Sequence, residues 1–102
     1  MNNTLQKIIA YTVQVADPDK LILFGSMSKG NITPNSDVDL LIISEDVYIK
    51  REIQKMIGIF CNEFSLKADI LFYSAEEVER EQRKPHSFLG AILKDGKVVY
   101  EK

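Results

Sequence analysis

Two aspartates separated by a single residue are the first sign of chemistry in this sequence. Asp37 and Asp39 begin an apolar run that is typical of a strand, and side chains at positions i and i+2 of a strand share one face. Two carboxylates on one face repel each other, so they favour a bound cation or a shared proton. Mg²⁺ prefers oxygen ligands, and a two-metal site needs carboxylates that bridge both ions. The pair therefore suggests a metal site with catalytic carboxylates.

A third aspartate lies further along the chain, inside another apolar segment. Residues 66–73 are predicted to form a strand in which Asp69 lies on the face opposite Leu66, Ala68, Ile70 and Phe72. A lone Asp in an apolar strand is costly unless it is paired. If this strand lies beside the one that carries Asp37 and Asp39, Asp69 reaches the same site.

A Gly-Ser pair follows the first predicted strand, at residues 20–24. Gly25 allows a phosphate to approach the backbone closely, and N–H groups at the start of the next helical turn favour an anion. The Ser26 hydroxyl adds a donor, and Lys29 can neutralise phosphate charge. The three residues together predict a phosphate-binding turn.

Each of these features has an ordinary explanation when it is taken alone. A Gly-Ser pair is usually a simple turn, Asp-x-Asp often solvates the start of a strand, and Asp69 could be a paired structural carboxylate. Their joint order is much more specific: a strand, Gly-Ser, a polar loop, Asp-x-Asp on a strand, one helix, and then a strand with its own Asp.

The elements that must position these residues follow from hydrophobic spacing and from turn signals. The predicted order is helix 3–16, strand 20–24, strand 37–43, helix, strand 66–73, helix, helix 86–94 and strand 97–100. Ser44 is the predicted N-cap of the second helix, which carries an apolar stripe from Ile49 to Phe64. Ser74 and Glu77 form a capping-box pattern, and Gly96 closes the last helix.

This order predicts an α/β (α+β) protein with a single small mixed β-sheet flanked by helices. The length of 102 residues predicts one domain over 1–102. The formal net charge of −2, with both signs interspersed, gives no strong nucleic-acid signal. The only cysteine, Cys61, is expected to be a buried core thiol, and nothing predicts a leader or a membrane span. The expected location is the cytoplasm.

The motif Phe24-Gly25-Ser26, ten intervening residues, and then Asp37-Val38-Asp39-Leu40 resembles the signature of the DNA polymerase β-like nucleotidyltransferases. The short chain is similar in particular to the minimal nucleotidyltransferases, or MNT proteins, which pair with HEPN-domain partners and often act as antitoxins. The resemblance covers nearly the whole chain and implies the polymerase β-like fold.

The resemblance also implies a role for each matching residue. Asp37 and Asp39 would coordinate two Mg²⁺ ions, Asp69 would ligate the ion that activates the acceptor hydroxyl, and the Gly-Ser turn would bind the nucleotide phosphates. Relatives often have Arg where this chain has Met27 and Lys29, and Lys lacks the bidentate geometry of Arg. The departure bears on triphosphate binding and leaves the metal site intact.

The acceptor is the part that the residues leave open. Larger relatives hold it with a second helical domain, for which 102 residues leave no room, so its surface is expected from another protein or from a second copy in a homo-oligomer. The resemblance implies transfer of AMP from ATP to a tyrosine of a HEPN toxin, which would neutralise the toxin. The alternatives are a noncatalytic antitoxin that acts by complex formation, and an aminoglycoside-like enzyme with a small-molecule acceptor.

Overall fold

The computed structural model describes residues 3–25, 37–45 and 49–102. Within these ranges the elements follow the order that the sequence predicts. They are α1 (Asn3–Ala16), β1 (Lys20–Phe24), β2 (Asp37–Ile43), α2 (Lys50–Asn62), β3 (Lys67–Tyr73), α3 (Ala75–Gln82), α4 (Phe88–Asp95) and β4 (Lys97–Glu101).

The strands form one four-stranded mixed sheet in the order β3-β2-β1-β4. β2 and β3 are parallel, because α2 carries the chain back across the sheet between them. β1 is antiparallel to both β2 and β4. The predicted fold class, a small mixed sheet flanked by helices, is therefore confirmed.

Helices cover both faces of the sheet, which explains why β2 is apolar almost throughout. Val38, Leu40 and Ile42 pack into a larger core that includes α1 and α2. Leu41 and Ile43 point the other way, into a smaller core that includes α3 and α4. A strand buried on both faces loses the alternating pattern of an exposed one. Asp37 and Asp39 therefore share a face with the smaller core and lie just beyond its edge.

The start of α3 is held by the predicted capping box. The Ser74 hydroxyl accepts a hydrogen bond from the Glu77 backbone N–H at 3.1 Å, and the Ser74 N–H donates to Glu77 Oε1 at 3.0 Å. This backbone hydrogen bond from Ser74 lowers the pKa of Glu77 below its usual value. α4 is capped by a single side-chain hydrogen bond: the Ser87 hydroxyl accepts from the Gly90 N–H at 3.0 Å.

We expect Ser74→Ala to lower the free energy of unfolding by about 1 kcal/mol, because the first N–H groups of α3 lose their acceptor. Denaturant titration measures this difference. Glu76→Ala is the matched control, since Glu76 lies in the same first turn but outside the capping box. An equal loss in both variants would contradict the role of the box.

Two predicted helix boundaries need correction. Ser44 does not cap α2, which begins at Lys50 after Ile49 and has no side-chain cap. The Ser44 N–H instead donates to the Tyr73 carbonyl at 3.0 Å, which extends the β2–β3 pairing by one residue. α4 begins at Phe88 rather than at His86, because Ser87 supplies its cap.

The predicted apolar stripe of α2 is narrower than its sequence suggests, and the end of α4 is closed by contact with the sheet. Ile49 and Met56 are 44% and 41% exposed, while Ile53 and Ile57 are buried. Gly96 does cap α4, but its backbone is extended rather than left-handed. A Cβ at this position would lie 2.5 Å from the Ile92 carbonyl oxygen of α4 and 2.6 Å from Ile22 Cγ2 of β1, so close packing against both elements is what requires glycine.

Candidate active site

The sheet brings the three predicted carboxylates together. Asp37 and Asp39 lie at the start of β2, and the parallel register places Asp39 directly beside Asp69 of β3. Paired residues of neighbouring strands are about 4.8 Å apart and point to the same face. Asp37, Asp39 and Asp69 therefore share one face and one end of the sheet.

The turn after β1 meets the same carboxylates from the other side. Phe24, the last residue of β1, pairs with Asp39, and Gly25 follows with a φ of +73°. An ideal Cβ on Gly25 would lie 2.1 Å from Asp39 Oδ2. Two physical reasons thus require glycine here: the left-handed backbone and the carboxylate that lies against it. The Gly25 turn and the three aspartates form one site.

The electrostatics of the site are dominated by repulsion between neighbouring carboxylates and by the burial of one of them, Asp39. The pKa of Asp39 is raised, first by burial and then by the charges of Asp69 and Asp37. Asp39 is half-buried, whereas Asp37 and Asp69 are exposed. A bound cation would relieve this repulsion, and an all-oxygen donor set suits a hard divalent ion.

The carboxylates of Asp37, Asp39 and Asp69 have the chemistry of ligands for a divalent metal, although they do not converge on a common coordination centre. Across the described residues, no three His, Cys, Asp or Glu side chains form a ready-made metal group. The Asp37 and Asp69 side chains are exposed, so they can change rotamer without disturbing the core.

The other predicted phosphate-binding residues, Ser26 and Lys29, lie outside the described residues, so their roles stay predictions.

Two further residues of β3 lie near the carboxylates or share their face of the sheet. Lys67 pairs with Asp37 across the strands, and its position two residues before Asp69 was the available signal. Tyr73 packs into the smaller core, as expected for an ordinary packed aromatic residue.

A cavity opens next to the carboxylates, between the end of β1 and α4. Its volume is about 270 Å³, and its lining is mostly apolar: Phe24, Gly25, Phe88, Ala91, Ile92, Asp95 and Gly96. Phe88 is 67% exposed, and its ring contacts that of Phe24 edge-on, with centroids 6.2 Å apart. No local sequence signal links these residues, because they meet only when α4 packs on β1.

We expect the metal-free protein to be more stable at neutral pH when Asp39 is replaced by asparagine. The folded-state pKa of Asp39 lies above its ordinary value, so the folded state binds the proton more tightly than the unfolded state does. The contribution of Asp39 to stability is therefore full at low pH and is lost as the pH rises through its folded pKa.

Thermal unfolding in a chelator checks this sign. The midpoint of Asp39→Asn should exceed that of the wild type at neutral pH, and the gap should narrow as the pH falls through the carboxyl range. A gap that widens on acidification would show that Asp39 is stabilised in its charged form.

A family model described as "Polymerase beta, Nucleotidyltransferase" matches residues 6–102 of this sequence. The chain belongs to the polymerase β nucleotidyltransferase family. The enzyme class predicted from the sequence is thereby confirmed at the level of the family. Members of this nucleotidyltransferase family generally use a divalent metal.

Two curated relatives of this nucleotidyltransferase come from Methanocaldococcus jannaschii, and both are named as candidate protein adenylyltransferases. The first is 45% identical over 53 residues, which are 52% of this chain and 52% of the relative. The second is 34% identical over 83 residues, which are 79% of this chain and 77% of the relative. The match thus spans about half the length of the first relative and about three quarters of the second.

Solved structures of low sequence identity share the fold. A toxin–antitoxin structure with AMP-PNP has a TM-score of 0.62 at 17% identity. The match covers 99% of this chain and 75% of the matched chain in that structure. A complex of a tri-AMPylated Shewanella oneidensis HEPN toxin with an MNT antitoxin has a TM-score of 0.55 at 14% identity, covering 98% and 69%. Both support the polymerase β-like nucleotidyltransferase fold that the sequence predicts.

Among the described residues, no helix combines the length and the apolar character needed to cross a bilayer.

Proposed function

We propose that this chain transfers AMP from ATP to a hydroxyl group of a partner protein. The observation that carries the proposal is the direct pairing of Asp39 with Asp69, beside a glycine turn that lies against the Asp39 carboxylate. Family membership supports nucleotidyl transfer as the reaction class. The names of the two archaeal relatives favour a protein as the acceptor.

Two Mg²⁺ ions are the proposed cofactor. Asp37 and Asp39 would hold both ions, and Asp69 would add a ligand to one of them. When bound, the ions neutralise the phosphate charge and lower the pKa of a coordinated hydroxyl group. Burial raises the pKa of Asp39 first, and the charges of Asp69 and Asp37 raise it further; a bound cation would relieve that second effect, the repulsion.

The proposed reaction is a displacement at the α-phosphorus. The acceptor oxygen forms a bond to the α-phosphorus, the bond from that phosphorus to the β-phosphate oxygen breaks, pyrophosphate leaves, and the hydroxyl proton is released. The residues of this chain bind and orient the reactants. The Gly25 turn, with Ser26 and Lys29, would hold the phosphates, while the carboxylates fix the reacting groups.

The two substrates would approach from opposite sides of Asp39. Gly25 follows β1 on one side, which is the proposed donor side. Asp69 lies on β3, at the edge of the sheet, and is exposed. A hydroxyl group on the surface of another protein can therefore reach Asp69 without entering a deep pocket.

A HEPN-domain toxin is the proposed partner, with a tyrosine hydroxyl as the acceptor, so that the chain acts as an antitoxin. The resemblance to MNT proteins supports this choice. The structural neighbours that contain an AMP-PNP-bound or AMPylated toxin–antitoxin pair are consistent with it at the level of the fold.

The test is to mix this chain with the protein encoded by the adjacent gene, with ATP and Mg²⁺, and to measure the mass of each protein. A gain of one or more AMP groups on the partner, absent without ATP, is the expected result. A tight complex with no mass change would favour a binding antitoxin instead. AMP found only on an added aminoglycoside would favour the small-molecule acceptor.

A further inference from the structure

The cavity between β1 and α4 lies on the donor side of the carboxylates. We propose that it receives the nucleobase of the donor nucleotide, an inference that rests on the proposed nucleotidyl transfer. Nucleobase binding would give α4, which carries none of the catalytic carboxylates, a direct role in choosing the substrate. The proposal identifies Phe24, Phe88 and Asp95 as base-contacting residues.

The order of the strands supports the donor rather than the acceptor as the occupant. Asp69 lies on β3, Asp39 on β2 and Phe24 on β1, so the cavity and Asp69 are on opposite sides of Asp39. Gly25 contributes to the cavity wall and also lies against Asp39. A nucleotide whose phosphates contact the Gly25 turn has its base one ribose away, which places the base over the cavity.

The lining suits a flat aromatic base. The Phe24 and Phe88 rings meet at an interplanar angle of 86°, and aliphatic atoms of Ala91 and Ile92 complete an apolar wall. The volume of about 270 Å³ lies just below the usual range of ligand pockets, which suits a single heterocycle. The largely exposed Phe88 ring loses water contact when a base stacks on it, which favours binding.

Asp95 supplies the polar part of the cavity. Among the described residues that line it, Asp95 alone carries a charge. A carboxylate accepts hydrogen bonds and donates none, so it matches a base that presents an amino group. Adenine has such a group at position 6. Unsubstituted purine, the base of purine riboside, has no amino group and offers no donor at that position. The cavity therefore favours a base with an exocyclic amino group, such as adenine.

The decisive experiment compares the binding of ATP and of inorganic tripolyphosphate to Phe88→Ala by calorimetry with Mg²⁺. Tripolyphosphate carries the phosphates without a base. We expect ATP binding to weaken about tenfold, because a stacking partner is lost, while tripolyphosphate binding stays unchanged. Ile59→Ala is the control, since Ile59 is similarly exposed, at 61%, but lies on α2, across the sheet.

The outcomes separate this inference from the proposed function. Unchanged ATP binding in Phe88→Ala, or an equal loss for ATP and tripolyphosphate, overturns the base pocket and leaves nucleotidyl transfer standing. A wild-type protein that binds neither ligand overturns both. A second measurement tests the amino group: Asp95→Ala should reduce the preference for ATP over purine riboside triphosphate about fivefold. An unchanged preference contradicts the role of Asp95.

Discussion

Asp39→Asn is expected to reduce AMP transfer to the partner protein by at least about a hundredfold. Asp39 is the central carboxylate of the site: Asp69 lies beside it in register, Asp37 lies two residues before it, and Gly25 lies against its carboxylate. Asparagine keeps the size of the side chain but removes the negative charge that a divalent cation requires. The measurement is the rate of AMP incorporation into the partner at saturating ATP and Mg²⁺.

Asp19→Asn is the matched control, because Asp19 is an exposed aspartate next to the opposite end of β1. Its transfer rate should equal that of the wild type. Asp37→Asn should lose activity as Asp39→Asn does. Full activity in both site variants would remove the carboxylates from the catalytic assignment. The Asp39→Asn protein should at the same time unfold at a higher temperature in chelator, which separates lost chemistry from lost folding.

Gly25→Ala is expected to produce the second large effect, a loss of about a hundredfold or more in AMP transfer together with a lower stability. The new methyl group would lie in the space of Asp39 Oδ2, so the carboxylate must move. The left-handed backbone of Gly25 adds a penalty of about 1–2 kcal/mol for any residue with a Cβ. Transfer assays and denaturant titration measure the two effects separately.

Gly58→Ala provides the control for the same chemical change. Gly58 lies within α2, and a Cβ there has no heavy atom within 4 Å. Alanine favours the helix, so this variant should be more stable by about 0.5–1 kcal/mol and fully active. If Gly25→Ala behaved like Gly58→Ala, the close contact between the turn and Asp39 would have no functional role.

Local signals in the sequence predicted the helices and strands well where an element is determined by interactions between residues close in the sequence. The capping box of Ser74 and Glu77 involves only neighbouring residues, and the structure contains both of its hydrogen bonds. The start of α2 was predicted wrongly for the opposite reason. Ser44 has the chemistry of a cap, but its backbone N–H is used by the neighbouring strand at Tyr73, and strand pairing is not visible in local sequence.

The candidate site likewise contains one feature that local sequence predicts and one that depends on how the strands pair. Alternation along one strand was enough to place Asp37 and Asp39 on a common face, because the period of two is a property of the backbone. Whether Asp69 would join them depended on which strand lies beside β2, in which direction, and in which register. Those choices are set by α2 and by the packing of both cores, which involve residues distant in the sequence.

The sequence by itself determined the candidate site residues of this protein: three aspartates at strand positions and a glycine at the end of a buried strand. Only the tertiary structure decided that Asp39 and Asp69 are direct neighbours, that the Gly25 backbone lies against Asp39, and that α4 completes a cavity beside them. The physical reason is the distance along the sequence over which each interaction acts. Backbone periodicity acts within a few residues, whereas register and cavities arise from packing between elements that meet only in the folded chain.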